Sequence, residues 1–272
     1  MKIAILDLNA GEPNEGMRCI RELVEKFKAE APLTITSEEF DVRTKGEIAD
    51  SSYDLYISSG GPGSPLASEG SEWESNYFGL MNEIIKYNRN NPFQRKHVLL
   101  ICHSFQVFCR HYNYAKVTKR KSSALGVMPV HKTKEGQREV LLAGLPDPFY
   151  AVDSRDYQIV EPDEWKIKSG GGQIVCIEKD RPFISLERAV MAIRFDEAFF
   201  GVQFHPEADP DGTYRYLLRE DKKKYITEKH GEKKYLQMVQ FLNDPEKIKP
   251  TYDRIVPTFL KQALAIRRQV VL

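Results

Sequence analysis

The sequence has no long apolar run, no excess of charge of one sign, and no cysteines at a pairing or metal-ligand spacing. Each absence removes a class of protein. No stretch approaches the roughly 18 apolar residues needed to cross a bilayer, so no membrane span is expected. Lys and Arg number 40 against 39 Asp and Glu, a formal net charge of +1, so no global field draws the chain to nucleic acid or an anionic membrane. Cys19, Cys102, Cys109 and Cys176 are scattered, and 272 residues bury enough surface to need no disulfide framework. A reducing cytoplasm is therefore the expected compartment. Met1-Lys2-Ile3-Ala4-Ile5-Leu6-Asp7 is too soon interrupted for a signal peptide and reads as a strand. His97, His111, His131 and His230 lack metal-ligand spacing, and neither a metal nor an organic cofactor is expected.

What is present is an alternation. Ile3–Leu6 is strand-like, and Met17, Ile20, Leu23, Val24 and Phe27 follow with helical spacing. Further strand-like runs cover Leu33–Phe40 and Tyr53–Ile57, and a helix is expected over Tyr77–Asn88. Val98–Ile101 is wholly apolar, as in a strand covered on both faces. This order predicts an α/β domain with a mostly parallel sheet. From Leu125 to Phe204 shorter strands are expected: Gly126–Val130, Glu139–Leu142, Gln173–Ile177, Ala189–Arg194 and Phe199–Phe204. Beyond Pro210 the composition turns to charged, helix-favouring residues. Two helical segments are expected, Tyr214–Leu242 and Tyr252–Val271, separated by Asn243-Asp244-Pro245. The second carries an apolar stripe of Ile255, Phe259, Leu260, Ala263, Leu264 and Ile266, expected to pack on the chain's own sheet. Lys116, Lys119, Arg120 and Lys121 are expected to be a solvated surface.

Three segments carry chemistry. Cys102 follows the apolar strand His97–Ile101 and precedes a segment that can open a helix. At such a turn the helix N-terminus favours thiolate, and the N–H of His103 points where an oxyanion would form. In Phe204-His205-Pro206-Glu207, residues two apart in extended chain point the same way, so Glu207 can reach Nδ1 of His205. Pro206 keeps the segment out of a helix. Ser58-Ser59-Gly60-Gly61-Pro62-Gly63 ends another strand, and its glycines allow the close backbone approach that a second oxyanion donor requires. Read alone, each has a plain structural alternative: a core cysteine, an exposed histidine, a β-turn.

Together, Tyr53–Ser64, Cys102-His103-Ser104-Phe105-Gln106 and Gly201-Val202-Gln203-Phe204-His205-Pro206-Glu207 resemble, in order and separation, the motifs of class I (triad) glutamine amidotransferases of the standalone GMP-synthase-amidotransferase type. The resemblance covers about residues 1 to 208. It implies a flavodoxin-like three-layer sandwich, with residues 209–272 as a helical extension packed on the same domain. It also implies Cys102 as nucleophile, His205 as base, Glu207 as its orienting acid, and Gly61 and His103 as oxyanion donors. Gly60, Gln106, Ser154 and Tyr157 are implied to bind substrate. The implied reaction hydrolyses the glutamine side-chain amide through a γ-glutamyl thioester, giving glutamate and ammonia for a synthetase acceptor on a separate protein. The alternatives are a γ-glutamyl peptide hydrolase and an inactive amidotransferase-like binding or regulatory protein. Leu100 and Ser104 stand where the family usually has glycine, and Phe105 where many members have histidine, implying an altered elbow and pocket floor. The stretch Leu66–Tyr77 is expected to form a lid or a partner surface.

Overall fold

The computed structural model describes residues 1–270 apart from Pro13, Ile184 and Pro245, with the side chains of residues 266–270 left out. The Ile266 side chain, Pro245 and Val271 of the expected helical segments lie outside the described residues. Among the described residues, nine strands form one sheet. In chain order these are β1 (Lys2–Asp7), β2 (Thr36–Asp41), β3 (Leu55–Ser58), β4 (His97–Ile101), β5 (Lys116–Lys132), β6 (Phe149–Val160), β7 (Gln173–Glu178), β8 (Val190–Arg194) and β9 (Phe199–Val202). The spatial order is β2-β1-β3-β4-β9-β8-β7-β5-β6. The run from β2 to β9 is parallel, in the flavodoxin-like order, and every pairing beyond β9 is antiparallel.

Helices cover both faces of the parallel half. Along β1, Ile3 and Ile5 face one core while Ala4 and Leu6 face the other, the two-residue period of a strand buried on both sides. The first core lies under α1 (Glu15–Glu30) and α8 (Lys249–Val270), the second under α2 (Glu72–Asn90) and α3 (His103–His111). Helix α1 starts because Asn14 caps it, its Oδ1 accepting from Met17 N at 2.9 Å. Its stripe of Met17, Ile20, Leu23, Val24 and Phe27 is buried as the spacing requires, each such side chain contributing about 1.5–3 kcal/mol. Helix α8 does the same with Ile255, Phe259, Leu260, Ala263 and Leu264, and Thr251 Oγ1 donates to Tyr150 O at 2.6 Å. These residues share one core cluster with Ile3, Ile5 and Val202 of the sheet.

Several expectations need correction. Glu139–Leu142 is not a strand: 3₁₀ turns cover Gly136–Arg138 and Val140–Leu142. Glu139 ends the first and caps the second, accepting from Leu141 N at 3.1 Å, so a single turn buries Leu141 and Leu142. The long helix expected over Tyr214–Leu242 is three helices, α5 (Pro210–Leu218), α6 (Glu220–His230) and α7 (Glu232–Leu242). It breaks at Arg219, which is extended, and at Gly231, whose φ of +85° is left-handed. Arg120 is not solvated surface. Its guanidinium meets Glu178 at 2.9 Å and Gln158 at 2.7 Å in a nearly closed site shared with Arg155. Gly170 caps the C-terminus of α4 (Glu164–Ser169), and Gly171 and Gly172 lead from it into β7.

Candidate active site

A cavity of about 900 Å³ opens beyond the carboxyl ends of β1, β3, β4 and β9, where open α/β sheets hold their ligands. Cys102 sits at the end of β4, its N–H donating to Val202 O at 2.7 Å and its carbonyl accepting from Gln106 N at 3.0 Å as α3 begins. Its φ of +50° with ψ of −99° is a conformation that L-residues rarely hold, and such strain persists only where surrounding contacts dictate it. Ser104 supplies one of those contacts. Its buried Oγ accepts from Ile101 N at 2.8 Å and lies 2.9 Å from Ser58 O, clipping the elbow to the end of β3. The hydroxyl thus holds a turn where the family usually has glycine.

Leu100 and Phe105, implied to alter the elbow and the pocket floor, do not border the cavity. Both side chains are buried in the core under α2 and α3, on the far side from the cavity. Phe105 packs against Gly201, where a Cβ would fall on its ring.

After β3, Ser59 N donates to Leu6 O at 3.0 Å and Ser59 Oγ accepts from Leu8 N at 2.9 Å. Gly60 and Gly61 follow in a space that admits no side chain. A Cβ on Gly61 would fall on Leu8 O, and one on Gly60 would stand 2.9 Å from His205 Cε1 and 3.5 Å from Cys102 Cβ. The imidazole and the cysteine therefore meet over Gly60. Arg43 fastens the loop from below, its Nη1 donating to Leu8 O at 3.0 Å and to Pro62 O at 2.7 Å.

His205 is placed by both halves of the sheet. It follows β9, and its N–H donates to Val152 O of β6 at 2.8 Å in an isolated antiparallel bridge. Nδ1 lies 2.8 Å from Glu207 Oε1, and Glu207 is buried against the first turn of α1, beside Gly16. Burial alone would push the imidazolium's pKa down. The Glu207 carboxylate and the Cys102 sulfur outweigh it, so the pKa of His205 stands well above its ordinary value. His103 is the opposite case: burial, then Arg43 and Arg110, push it down to about 3, so it is neutral.

The bridge at Val152 also draws β6 over the elbow. Ser154 O comes to 3.8 Å from Cys102 Sγ, and Tyr157 O accepts from Gln106 Nε2 at 3.3 Å. The nine residues implied as nucleophile, base, acid, oxyanion donors and substrate contacts all border this cavity: Gly60 and Gly61, Cys102, His103 and Gln106, Ser154 and Tyr157, His205 and Glu207. The sequence reading missed Gln203, whose Nε2 lies 3.7 Å from Cys102 Sγ, and Arg43. It also missed the outer wall, which Tyr216, Arg219 and Lys222 form with Tyr225 and Met238 from α5–α7. Leu66–Tyr77, expected as a lid or a partner surface, does not border the cavity and so is no lid over it; Arg110 holds it down by pairing with Glu74 and Pro65 O. Among the described residues no group of three or more His, Cys, Asp and Glu converges as a metal site, and no helix is long and apolar enough to cross a membrane.

A family model described as glutamine amidotransferase class-I matches residues 18–223. The chain belongs to that family. Solved structures bear out the fold of this class I amidotransferase. It is similar to a glutamine amidotransferase from Thermotoga maritima, with TM-score 0.67 at 16% identity over 98% of this chain and 97% of that one. A glutamine amidotransferase from Methylobacillus flagellatus gives 0.59 at 15% identity over 97% and 93%. The glutaminase domain of Trypanosoma brucei CTPS with bound acivicin gives 0.57 at 13% identity over 97% and 94%. No curated protein matches the chain.

Proposed function

We propose that this amidotransferase hydrolyses the side-chain amide of L-glutamine, with Cys102 as nucleophile, His205 as general base and acid, and Glu207 orienting the imidazole. The observation that carries the reading is the meeting of the Cys102 and His205 side chains over Gly60, with Glu207 bound to the far ring nitrogen. The Glu207 contact leaves Nε2 of His205 for the thiol. His205 receives the Cys102 proton before the attack, as its raised pKa favours, and Sγ attacks the amide carbon as thiolate. The N–H groups of Gly61 and His103 hold the oxyanion, a term worth roughly 3–4 kcal/mol per donor. The C–N bond then breaks, and the departing ammonia takes the proton from His205. Water, deprotonated by the same imidazole, cleaves the γ-glutamyl thioester and releases glutamate and the thiol. Gly60, Gln106, Ser154 and Tyr157 line the substrate side, and the ammonia goes to an acceptor on a separate protein.

A second reading, hydrolysis of γ-glutamyl peptides by the same steps, is favoured by the cavity itself. Its volume of about 900 Å³ is near the top of the range of roughly 300–1,000 Å³ that holds much larger ligands, and it reaches the side chains of α5–α7. Glutamate release from glutamine and from γ-glutamyl dipeptides, with Cys102→Ala as control, tests both. Glutamine turnover lost in Cys102→Ala supports the first reading. Turnover of dipeptides alone replaces it with the second. Release of glutamate from neither, in the presence of candidate acceptor enzymes, would reject both and leave a binding or regulatory role.

A further inference from the structure

We propose that Gln203 is a catalytic residue that donates a hydrogen bond to the Cys102 thiolate, and that Gln106 is the positioning residue that aims it. The proposal rests on the reading of Cys102 as the attacking group. Gln203 is wholly buried, on a segment whose neighbours Val202 and Phe204 both face the core under α1 and α8. An amide in such surroundings must find hydrogen-bond partners, because leaving it unpaired is costly. Its partners form one chain of contacts that fixes every amide orientation.

Tyr157 O can only accept, so the Gln106 group 3.3 Å from it is the NH₂. That NH₂ also lies 3.0 Å from Gln203, whose facing atom must then be the oxygen. The Gln203 NH₂ is left pointing at Cys102 Sγ, 3.7 Å away. Ser154 O also lies 3.8 Å from the sulfur, and it can accept from a thiol but only repels a thiolate. The sulfur thus meets one group suited to S–H and one suited to S⁻. A donor to an anion makes the stronger bond, roughly twice a neutral one, so ionisation strengthens the Gln203 contact as the Ser154 contact is lost.

Other charges also act on the sulfur. His205, backed by Glu207, faces it from the end of β9, neutral His103 follows it on α3, and the Asp153–Arg155 pair flanks Ser154 on β6. The test must separate their effects from that of a neutral amide. His205→Ala, used as the background, removes the coupled titration of sulfur and imidazole. In that background, the pH dependence of iodoacetamide alkylation at Cys102, read by mass spectrometry, gives the thiol's apparent pKa.

Gln203→Met is expected to raise it by about one pH unit, leaving about tenfold less thiolate below both values. Gln203→Glu, which keeps the shape and turns a carboxylate toward the sulfur, should raise it further. Gln106→Met should raise it less, in the same direction. An unchanged value in folded Gln203→Met and Gln203→Glu overturns the proposal, and if the first does not fold the isosteric second decides alone. Alkylation needs no glutamine, so its outcome is separate from that of the proposed reaction. Shifted pKa values without glutaminase activity would sink the function, while unshifted values in an active enzyme would sink only the role of Gln203.

Discussion

The two walls of the cavity are held by different kinds of contact. On the sheet side, Gly60, Gly61, Cys102 and His205 are fixed by backbone hydrogen bonds and by approaches too close for one extra carbon. On the outer side, α5–α7 have a small core of their own, with Leu217, Ile226, Tyr235, Met238 and Leu242 gathered on Val127 of β5. They are tied to the rest at a few points. Asp209 caps α5 through Gly212 N at 2.5 Å and pairs with Arg18 of α1, and Met238 rests on Gly126. The sheet wall holds the groups that would do chemistry and tolerates no added atom. The helical wall bounds the space beside them and is tied to the rest through Asp209, Arg18 and Met238.

That contrast is most sharply tested at Gly61. Gly61→Ala puts a carbon on Leu8 O, so the loop must move and its N–H with it. Glutaminase kcat is expected to fall about 10²–10³-fold, the loss seen when one oxyanion donor is removed. Next in size is Glu207→Gln. Because the folded pKa of His205 lies well above its ordinary 6.5, its ion pair with Glu207 contributes stability that is complete below that ordinary value. The contribution is lost as the pH rises through the raised folded value. Urea unfolding should therefore show Glu207→Gln destabilised by on the order of 3 kcal/mol near pH 6, with the gap closing toward alkaline pH.

On the other wall the expected effects are smaller. Asp209→Ala removes a cap and the latch to Arg18, and should cost about 1–2 kcal/mol. Hydrogen exchange should place that loss in residues 210–242 and leave the elbow protected; faster exchange at 98–106 would show that the walls are not independent. Smallest is Tyr225→Ala on α6, half-exposed at the cavity rim. Its effect on melting should lie within about 0.5 kcal/mol and kcat for glutamine should be unchanged. A large loss of kcat there would place the helical wall in the chemistry.

The elements that were legible in the sequence are those whose signal is local. The apolar run Val98–Ile101, the glycines after Ser59 and the His205–Glu207 pair each declare their geometry through backbone type, period or spacing. Gln203 does not. It lies in the strand-like run Phe199–Phe204 and reads as an incidental polar residue, because its meaning comes from Gln106 and Tyr157 on other elements. Arg43 is one cation among many until the fold brings Leu8 O and Pro62 O to its guanidinium. The helices of the outer wall were expected as helices, but amphipathic spacing shows only that a face is buried, not against what. Arg120 was misread for the same reason, its partners Gln158 and Glu178 being distant in sequence.

The bridge between His205 and Val152 has a mechanical consequence. The imidazole hangs from a strand end of the parallel half and is stitched to β6 in the antiparallel half. Its position is therefore a reading of how those halves sit against each other. The β5–β6 hairpin reaches the surface at Lys119 and Lys121, on the same strand pair that the His205 backbone bridges at Val152. Through that bridge the imidazole shares its backbone anchor with the hairpin.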